Sequence, residues 1–156
     1  MILDPIAGGR AILADYRMLG WVAARIPHLG AGYQWTLAHA LGVVKDGRIL
    51  AGMVVHDYNP NYRNCQISMA ADDPKWATRS TIAALLAYPF GQLQVNRITT
   101  VIASRNTRAI RFNLGIGFGQ EGRSPDGFGD DDALIFGLLR ASAPNWMGLA
   151  PQANNA

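Results

Sequence analysis

The hydrophobic pattern of this 156-residue chain changes from a strand period to a helix period near its middle, and that change constrains the fold more than any other feature of the sequence. The turn signals Asp46-Gly47 and 59–61 divide the first half into three strand-like runs, 38–45, 48–58 and 63–70. Apolar residues then recur at helical spacing over 82–93, and a fourth, β-rich run follows at 97–103. A helix that links two neighbouring strands makes that pair parallel, so a parallel pair is predicted beside an antiparallel meander.

The flanking segments add helices to both faces of this sheet. Helical spacing extends from 12 to 26, where Pro27 ends it. After the fourth strand, Asn106 is a predicted N-cap, and Gly117 a left-handed C-terminal residue, of a short helix. Two more strands are predicted at 118–122 and 132–140. The fold class is therefore α/β in the α+β sense, with one mixed, mainly antiparallel sheet and helices on both faces.

The chain length indicates a single domain, since domains cluster near ~100–150 residues. We expect this domain to span residues 1–145 and the small, polar segment 146–156 to form a loose tail. The 49% hydrophobic and 16% charged content excludes a disordered chain, and the lack of a long apolar stretch excludes a transmembrane helix. A lone cysteine and no visible secretory signal favour a cytoplasmic setting, with Cys65 as a small buried residue.

Charge and metal-ligand patterns narrow the function classes further. The chain has 14 Lys and Arg against 11 Asp and Glu, a net charge of +3. That excess permits an anionic partner, but basic and aromatic residues do not interleave, so nucleic-acid binding is the weaker alternative. The three histidines show no metal-ligand spacing, and the acidic loop 126–132 has no EF-hand spacing. No metal is therefore predicted.

The segment 96–123, together with the order of elements, resembles the GNAT N-acetyltransferase superfamily. In that superfamily a strand is followed by N-x-x-A at the start of a helix, and later by G-F and E-G. The matching residues of this chain are Asn106, Ala109, Gly117, Phe118, Glu121 and Gly122. The closer resemblance is to small GNAT proteins of phages and prophages, carried by W-V-A-x-R-I-P at 21–27, Y-P-F at 88–90 and G-L-L-R at 137–140.

This resemblance implies an acetyl-CoA-dependent N-acetyltransferase in which an amine attacks the thioester directly. The acceptor, a small-molecule or protein amine, stays open. The alternative is a non-catalytic module of GNAT fold that binds a cofactor or another protein. The resemblance is also compatible with a homodimer, and with the cytoplasm of a phage-infected or prophage-bearing bacterial host.

The resemblance places the pantetheine arm of coenzyme A where the third and fourth strands, 63–70 and 97–103, splay apart, like an added strand. Asn106 would bond the arm with its side-chain amide while capping the next helix. The basic face of that helix, with Arg108 and Arg111, would attract the 3′-phosphate and adenine end of the cofactor. Alternatively, this face is an ordinary solvated surface that binds no ligand. The strand residues that would bond the arm are Ile67, Ser68, Met69 and Ala70.

The chain departs from the superfamily where the pyrophosphate is held. GNAT enzymes use a Q/R-x-x-G-x-G/A turn before the central helix, whereas residues 71–76 contain no glycine. We therefore expect the phosphates to shift to the first turn of that helix, whose N–H groups and positive dipole end suit an anion. Ordinary capping beside a solvated arginine is the alternative. The predicted ligands are Lys75, Thr78, Arg79 and Ser80.

Proton transfer has three candidate groups, since acetyl transfer needs a neutral amine. Many GNAT members place a Tyr general acid on the helix after the Asn, and that place falls at Asn113. His56, at the end of the second strand, is a candidate base or water relay, with polar strand-end surface as its alternative. Ser68 could also pass protons through water. The acidic loop 126–132 would border the acceptor, which favours a cationic amine.

Overall fold

The computed structural model describes residues 2–30 and 32–149, which form an eight-stranded mixed sheet with three α-helices. The strands are β1 (Ile2–Pro5), β2 (Arg10–Ala14), β3 (His39–Lys45), β4 (Arg48–Asn59), β5 (Asn64–Ala71), β6 (Arg97–Ala103), β7 (Gly119–Ser124) and β8 (Ala133–Leu139). The helices are α1 (Met18–Ala24), α2 (Arg79–Ala87) and α3 (Thr107–Ile116). The strand order is β1-β2-β3-β4-β5-β6-β8-β7, and the predicted fold class is confirmed.

A tight turn starts the antiparallel meander. Asp46 and Gly47 have φ angles of 51° and 73°, both in the left-handed region that a two-residue hairpin turn requires. The turn places Lys45 opposite Arg48 and so sets the register of β3 on β4. β5 then returns antiparallel along β4, as the pattern predicted.

Helices cover both faces of the sheet. Alternate strand residues point to opposite faces, and apolar side chains on each face pack against a helix. Val54 of β4 packs with Met18 and Val22 of α1 in a small cluster on one face. The larger core lies on the other face, where burial raises the pKa of the Cys65 thiol to about 12. Cys65 is thus a buried apolar residue, as predicted. The α2 and α3 residues of the larger core are Ile82, Leu85, Leu86 and Ile116.

The crossover helix α2 connects β5 to β6, which run parallel as predicted. The α-helix ends at Ala87, and residues 88–92 continue as a π-helical turn. Pro89 has no N–H to donate along the helix, so the backbone widens at this point. Leu93 N–H then bonds to the Tyr88 carbonyl at 3.0 Å. Phe90 is fully buried within this turn, so the predicted apolar face continues through the break.

The predicted first helix is wrong over its first residues. Residues 10–14 form β2, with Ile12 opposite Val43 of β3, and α1 begins at Met18. A short apolar run such as 11–14 is compatible with either a strand or a helix, and pairing with a distant strand decides between them. β1, which pairs with β2 at the edge of the sheet, was not predicted.

The end of the chain differs from the loose tail expected from residue 146. Residues 145–147 form a 3₁₀ turn, Met147 is buried, and Trp146 and Leu149 pack against the larger core. This segment therefore belongs to the packed domain. The rest of the expected tail, 150–156, lies outside the described residues.

Candidate active site

A cleft opens where the parallel strands β5 and β6 separate. Their ladder covers 64–66 and 97–99 and stops after Gln66, so the strands diverge toward their C-terminal ends, as predicted. At the base of the gap the Thr100 hydroxyl donates a hydrogen bond of 3.0 Å to the Ile67 carbonyl. Thr100 is buried, and this bond satisfies a carbonyl that has lost its partner strand.

The cleft has a volume of about 870 Å³. It is lined by the ends of β5 and β6, by the first turns of α3, and by parts of three loops: 25–29, 74–77 and 128–131. The structure thus brings together predicted cofactor ligands and predicted catalytic groups. The predicted site residues on its wall are Ser68, Met69, Ala70, Asn106, Arg108 and Asn113.

Alternation along β5 decides which of its backbone groups face the cleft. Successive residues of an antiparallel strand present their N–H and C=O groups to opposite sides. The Ile67 carbonyl points toward β6, since it accepts the Thr100 hydroxyl, and Met69 has the same orientation. Ser68 and Ala70 consequently turn their backbone groups toward β4. This narrows the predicted backbone contacts of the pantetheine arm from four residues to Met69, because Ile67 is already engaged.

Asn106 stands on the cleft wall at the start of α3. Its side-chain oxygen accepts a hydrogen bond of 3.2 Å from the Ala109 N–H, which is the predicted N-cap interaction. Gly117 closes the helix with a φ of 114°, as predicted. The cap uses the oxygen of the amide, so the NH₂ group of Asn106 is the part that can donate to a ligand.

The arginines around α3 differ in what holds them. Arg105 lines the cleft, but its guanidinium donates a hydrogen bond of 3.0 Å to the Asp130 carbonyl. Arg108 is exposed and lines the cleft, and its guanidinium has no hydrogen bond or ion pair to the described part of the chain. Arg111 is exposed as well, but lies outside the cleft wall. Arg108 is therefore the cation of this helix best placed for an anionic ligand.

The predicted phosphate ligands around the start of α2 lie outside the cleft wall. The Thr78 hydroxyl caps α2, accepting the Thr81 N–H at 3.2 Å and donating to the Thr81 hydroxyl at 2.8 Å. The Arg79 guanidinium lies 5.4 Å from the centre of the Trp146 ring. The other two, both exposed, are Lys75 and Ser80. The cleft instead reaches the preceding residues Pro74, Trp76 and Ala77.

Two aspartates occupy the turn between β5 and α2, and each is paired with an arginine. Arg25 holds Asp72 through hydrogen bonds of 2.8 and 3.0 Å, which lower the pKa of that carboxyl. Arg48 holds Asp73 at 2.7 Å, and Asp73 also accepts the Lys75 N–H at 2.9 Å. The turn is thus shaped by side-chain bonds instead of glycines, and both of its negative charges are balanced.

Two of the predicted catalytic residues are hydrogen-bonded to each other. His56 Nε2 lies 2.9 Å from Ser68 Oγ, and His56 Nδ1 lies 2.6 Å from a carboxylate oxygen of Asp57. Ser68 lines the cleft, whereas His56 lies behind it. Adjacency in sequence places Asp57 beside His56, but the bond between His56 and Ser68 depends on the register of β4 on β5.

Asn113 occupies the third predicted catalytic position, on the wall formed by α3. It is buried, and its side-chain NH₂ donates a hydrogen bond of 2.8 Å to the Ala109 carbonyl. A carboxamide is a donor and acceptor that does not ionise near neutral pH. Asn113 can therefore orient a ligand, but cannot replace the Tyr as a proton donor.

Solved acetyltransferase structures share this architecture. A protein described as a probable acetyltransferase superposes with a TM-score of 0.67 at 18% identity, over 90% of this chain and 98% of that chain. A chimera of spermidine N-acetyltransferase SpeG from Vibrio cholerae and hSSAT gives a TM-score of 0.69 at 14% identity, over 86% and 98%. Vibrio cholerae spermidine N-acetyltransferase in complex with CoA and spermine gives 0.60 at 18% identity, over 68% of each chain.

The chain has the GNAT fold. Neither the protein-family models nor the curated proteins with which the sequence was compared give a match.

Two loops close one side of this GNAT-fold cleft, and the sequence patterns did not indicate the contact between them. The rings of His28 and Phe128 lie 4.4 Å apart and join the loop after α1 to the loop before β8. Arg25, which holds Asp72, lines the cleft beside His28. These contacts link segments that are far apart in sequence, so neither hydrophobic period nor motif spacing could have indicated them.

The acidic loop before β8 uses its carboxylates to hold its own shape. Asp131 accepts the Ser104 hydroxyl and, at 3.0 Å, the Arg105 N–H, and these bonds lower its pKa. Asp132 accepts the Asp126 N–H at 2.9 Å, which lowers its pKa as well. Across residues 2–30 and 32–149, no group of His, Cys, Asp and Glu is arranged to hold a metal ion. No helix among the same residues is long and apolar enough to cross a membrane.

Proposed function

We propose that this protein is an acetyl-CoA-dependent N-acetyltransferase that transfers an acetyl group to an amine by direct attack. The observation that carries this proposal is the cleft between the diverging ends of β5 and β6, with the first turn of α3 on its wall. The described activities of the fold neighbours, acetyl transfer to spermidine among them, support the same reaction class.

The residues of the cleft fit coenzyme A. Met69 presents backbone groups to the gap as an edge strand does, and the amides of a pantetheine arm could pair with them. Asn106 has an amide NH₂ group to donate, and Arg108 offers a cation to a phosphate. When bound, acetyl-CoA would supply the activated acetyl group.

The phosphates would lie at the rim formed by residues 74–77, close to α3 and Arg108. Asp72 and Asp73 stand at this rim, but their paired arginines offset the repulsion that they would otherwise cause. Side chains at the start of α2 and on α3 would add hydroxyls and positive charge near the phosphates without lining the wall. These are Lys75, Thr78, Arg79, Ser80 and Arg111.

The remaining residues would prepare the acceptor side. The contact between His28 and Phe128 narrows the opening and would limit water in the cleft. A backbone N–H such as that of Met69 could polarise a carbonyl held against β5. The acceptor would be a small amine, because the fold neighbours include enzymes described as acting on spermidine and spermine.

The proposal extends to the setting of the protein. The resemblance to phage and prophage GNAT proteins favours a bacterial cytoplasm, in an infected or lysogenic host. A homodimer is part of the same proposal, and oligomers are described for a fold neighbour, the dodecameric spermidine N-acetyltransferase.

Two measurements test the proposed function. Isothermal titration calorimetry should show acetyl-CoA binding at a single site, and a thiol-release assay with a panel of primary amines, spermidine included, should show amine-dependent turnover. Binding without turnover for every amine would favour the non-catalytic alternative. Absence of acetyl-CoA binding would reject the enzyme and the cofactor-binding form of the alternative, and would leave a module that binds another protein.

A further inference from the structure

Three hydrogen-bonded side chains lead from the cleft wall to a carboxylate at the surface, since the side chain of Asp57 is 45% exposed. Ser68 Oγ lies 2.9 Å from His56 Nε2, and His56 Nδ1 lies 2.6 Å from a carboxylate oxygen of Asp57. Ser68 lines the cleft, whereas the His56 side chain is 12% exposed and does not line it. A molecule in the cleft therefore meets the Ser68 hydroxyl first and His56 behind it.

The chemistry of the groups fixes the direction of both bonds when the imidazole is neutral. A carboxylate only accepts hydrogen bonds, so Nδ1 of His56 must donate to Asp57. A neutral ring protonated on Nδ1 has a free electron pair on Nε2, and the Ser68 hydroxyl donates to it. The remaining electron pairs of Ser68 Oγ are then free to accept a hydrogen bond from a molecule in the cleft.

The surroundings hold this chain of groups in place. Asp57 has a φ of 51°, an uncommon backbone for a non-glycine residue, at an irregularity in the ladder of β4 on β5. Its N–H donates a hydrogen bond of 2.8 Å to the Thr36 carbonyl. The Trp35 ring lies 4.9 Å from the His56 ring, and its indole N–H donates at 3.1 Å to the Leu19 carbonyl. Strained residues persist where such contacts fix them, and they concentrate at functional sites.

We infer that Ser68, His56 and Asp57 form a proton relay that converts the acceptor ammonium into the attacking amine, an inference that rests on the proposed function. One N–H bond of the ammonium breaks as its proton moves to Ser68 Oγ. In the same step the original hydroxyl proton of Ser68 moves to His56 Nε2. The acceptor becomes a neutral amine, and His56 becomes an imidazolium beside the Asp57 carboxylate. The imidazolium later gives this proton to water.

The three residues have different roles in this relay. Ser68 is the catalytic residue because it touches the acceptor. His56 receives the proton through Ser68. Asp57 is a positioning residue: it selects the Nδ1–H form of the ring and stabilises its positive charge.

Nitrogen-15 NMR of the histidine side chains tests the relay in the free protein, without cofactor or acceptor. The neutral His56 ring, assigned by comparison with His56→Gln, is expected to carry its proton on Nδ1. Ser68→Ala should shift the Nε2 resonance of that ring. A neutral ring protonated on Nε2 would overturn the inference, since that atom could not accept a proton from Ser68.

Steady-state kinetics test the same relay in turnover. Ser68→Ala is expected to lower kcat by roughly 10²–10⁴-fold, the usual contribution of a positioned acid–base group, with the Kd for acetyl-CoA unchanged. Ser68→Thr keeps a hydroxyl and should retain most of kcat. Asp57→Asn should also lower kcat, although Asn tolerates a positive φ. Asp46→Asn is its matched control: it has the same φ of 51°, lies in the exposed β3–β4 turn, and should leave kcat unchanged.

The outcomes separate the relay from the function on which it rests. A wild-type chain that binds no acetyl-CoA rejects the proposed function. An active wild type with equal kcat in Ser68→Ala, or in Asp57→Asn, rejects the relay alone. Mass spectrometry that finds an acetyl group on Ser68 after incubation with acetyl-CoA would overturn the relay too, because Ser68 would then be the nucleophile. If no amine in the panel is acetylated, the histidine NMR tests the relay, and a neutral His56 ring protonated on Nε2 rejects it.

Discussion

At the residue scale, Asn106 combines two roles through the two ends of one amide. Its oxygen caps α3 through the Ala109 N–H, and its NH₂ group lies on the cleft wall. Arg108, in the first turn of the helix, adds a positive charge to this wall. The neighbouring Arg105 is instead held by the Asp130 carbonyl. Capping and binding can therefore be separated by substitutions that change one function at a time.

Asn106→Ala and Asn106→Ser form the matched pair for this test. Ser is as good an N-cap as Asn, whereas Ala removes the cap and should cost about 0.5–2 kcal/mol of unfolding free energy. Both variants lack the amide NH₂ and should bind acetyl-CoA more weakly. Urea unfolding and calorimetry measure the two effects. A less stable Asn106→Ala variant with unchanged acetyl-CoA affinity would show that Asn106 only caps the helix.

Arg108→Ala should weaken acetyl-CoA binding more than Arg111→Ala. Both arginines are exposed on α3, but Arg108 lines the cleft and Arg111 does not. The loss should shrink at high salt, because salt screens an exposed charge–phosphate interaction. Titrations at low and high ionic strength provide the comparison. Equal losses for the two variants would mean that α3 acts through its general positive field.

At the element scale, the divergence of β5 from β6 creates the site, and a single side-chain bond closes its base. Thr100 of β6 replaces the missing ladder by donating to the Ile67 carbonyl at 3.0 Å. On the other side of the cleft, the loop before β8 is held by carboxylates that accept several hydrogen bonds each. Both elements give predictions for stability.

Thr100→Val keeps the shape of the side chain and removes the hydroxyl. The buried Ile67 carbonyl is then left without its partner, which should cost about 1–3 kcal/mol of unfolding free energy. Thr99→Val on the same strand is the control. Thr99 is partly exposed, and its hydroxyl accepts a hydrogen bond of 3.0 Å from Arg97, whose guanidinium also bonds to Glu121. Water can replace a partner at a partly exposed site, so this variant should lose less stability than Thr100→Val. Chemical denaturation measures both. A Thr100→Val variant as stable as Thr99→Val would show that water replaces the hydroxyl.

The loop before β8 should make stability depend on acid pH. The pKa of Asp131 is lowered from its ordinary value of 3.8, first by the hydrogen bond from Ser104. A carboxyl whose pKa is lower in the folded than in the unfolded state stabilises the fold at pH values above the unfolded pKa. This stabilisation is lost as the pH falls through the folded pKa. The unfolding free energy should therefore fall below pH 3.8, and less steeply in Asp131→Asn. Asp126→Asn is the control, because Asp126 contributes its backbone N–H, not its carboxylate, to the bond with Asp132. This variant should keep the wild-type dependence of unfolding free energy on pH.

At the scale of the whole molecule, local patterns predicted the parts of the fold that depend on neighbours in sequence. The hairpin at Asp46-Gly47, the strand 97–103 and the capped helix after Asn106 agree with the structure. The strands β1 and β2 were missed because β1 is a four-residue edge strand and β2 a short apolar run, and distant pairing fixes both.

The site was predictable to a similar degree. Resemblance and strand order placed Ser68, Met69 and Asn106 on one cleft, which the structure brings together. The first turn of α2 was expected to reach the ligand, but the cleft wall stops at residue 77. The bond between His56 and Ser68 depends on the register of β4 on β5, and the contact between His28 and Phe128 joins two loops, so a sequence read alone indicates neither.

The most direct test of the central claim is the titration of acetyl-CoA into the wild type and two tryptophan variants. Val101 lies on β6, is 39% exposed and lines the cleft, so Val101→Trp should fill the gap without disturbing the core. Leu114, 50% exposed on α3 outside the cleft wall, gives the control Leu114→Trp. We predict that wild type and Leu114→Trp bind acetyl-CoA equally and that Val101→Trp does not. Absence of binding to the wild type, or unchanged binding to Val101→Trp, would contradict a cofactor site between β5 and β6.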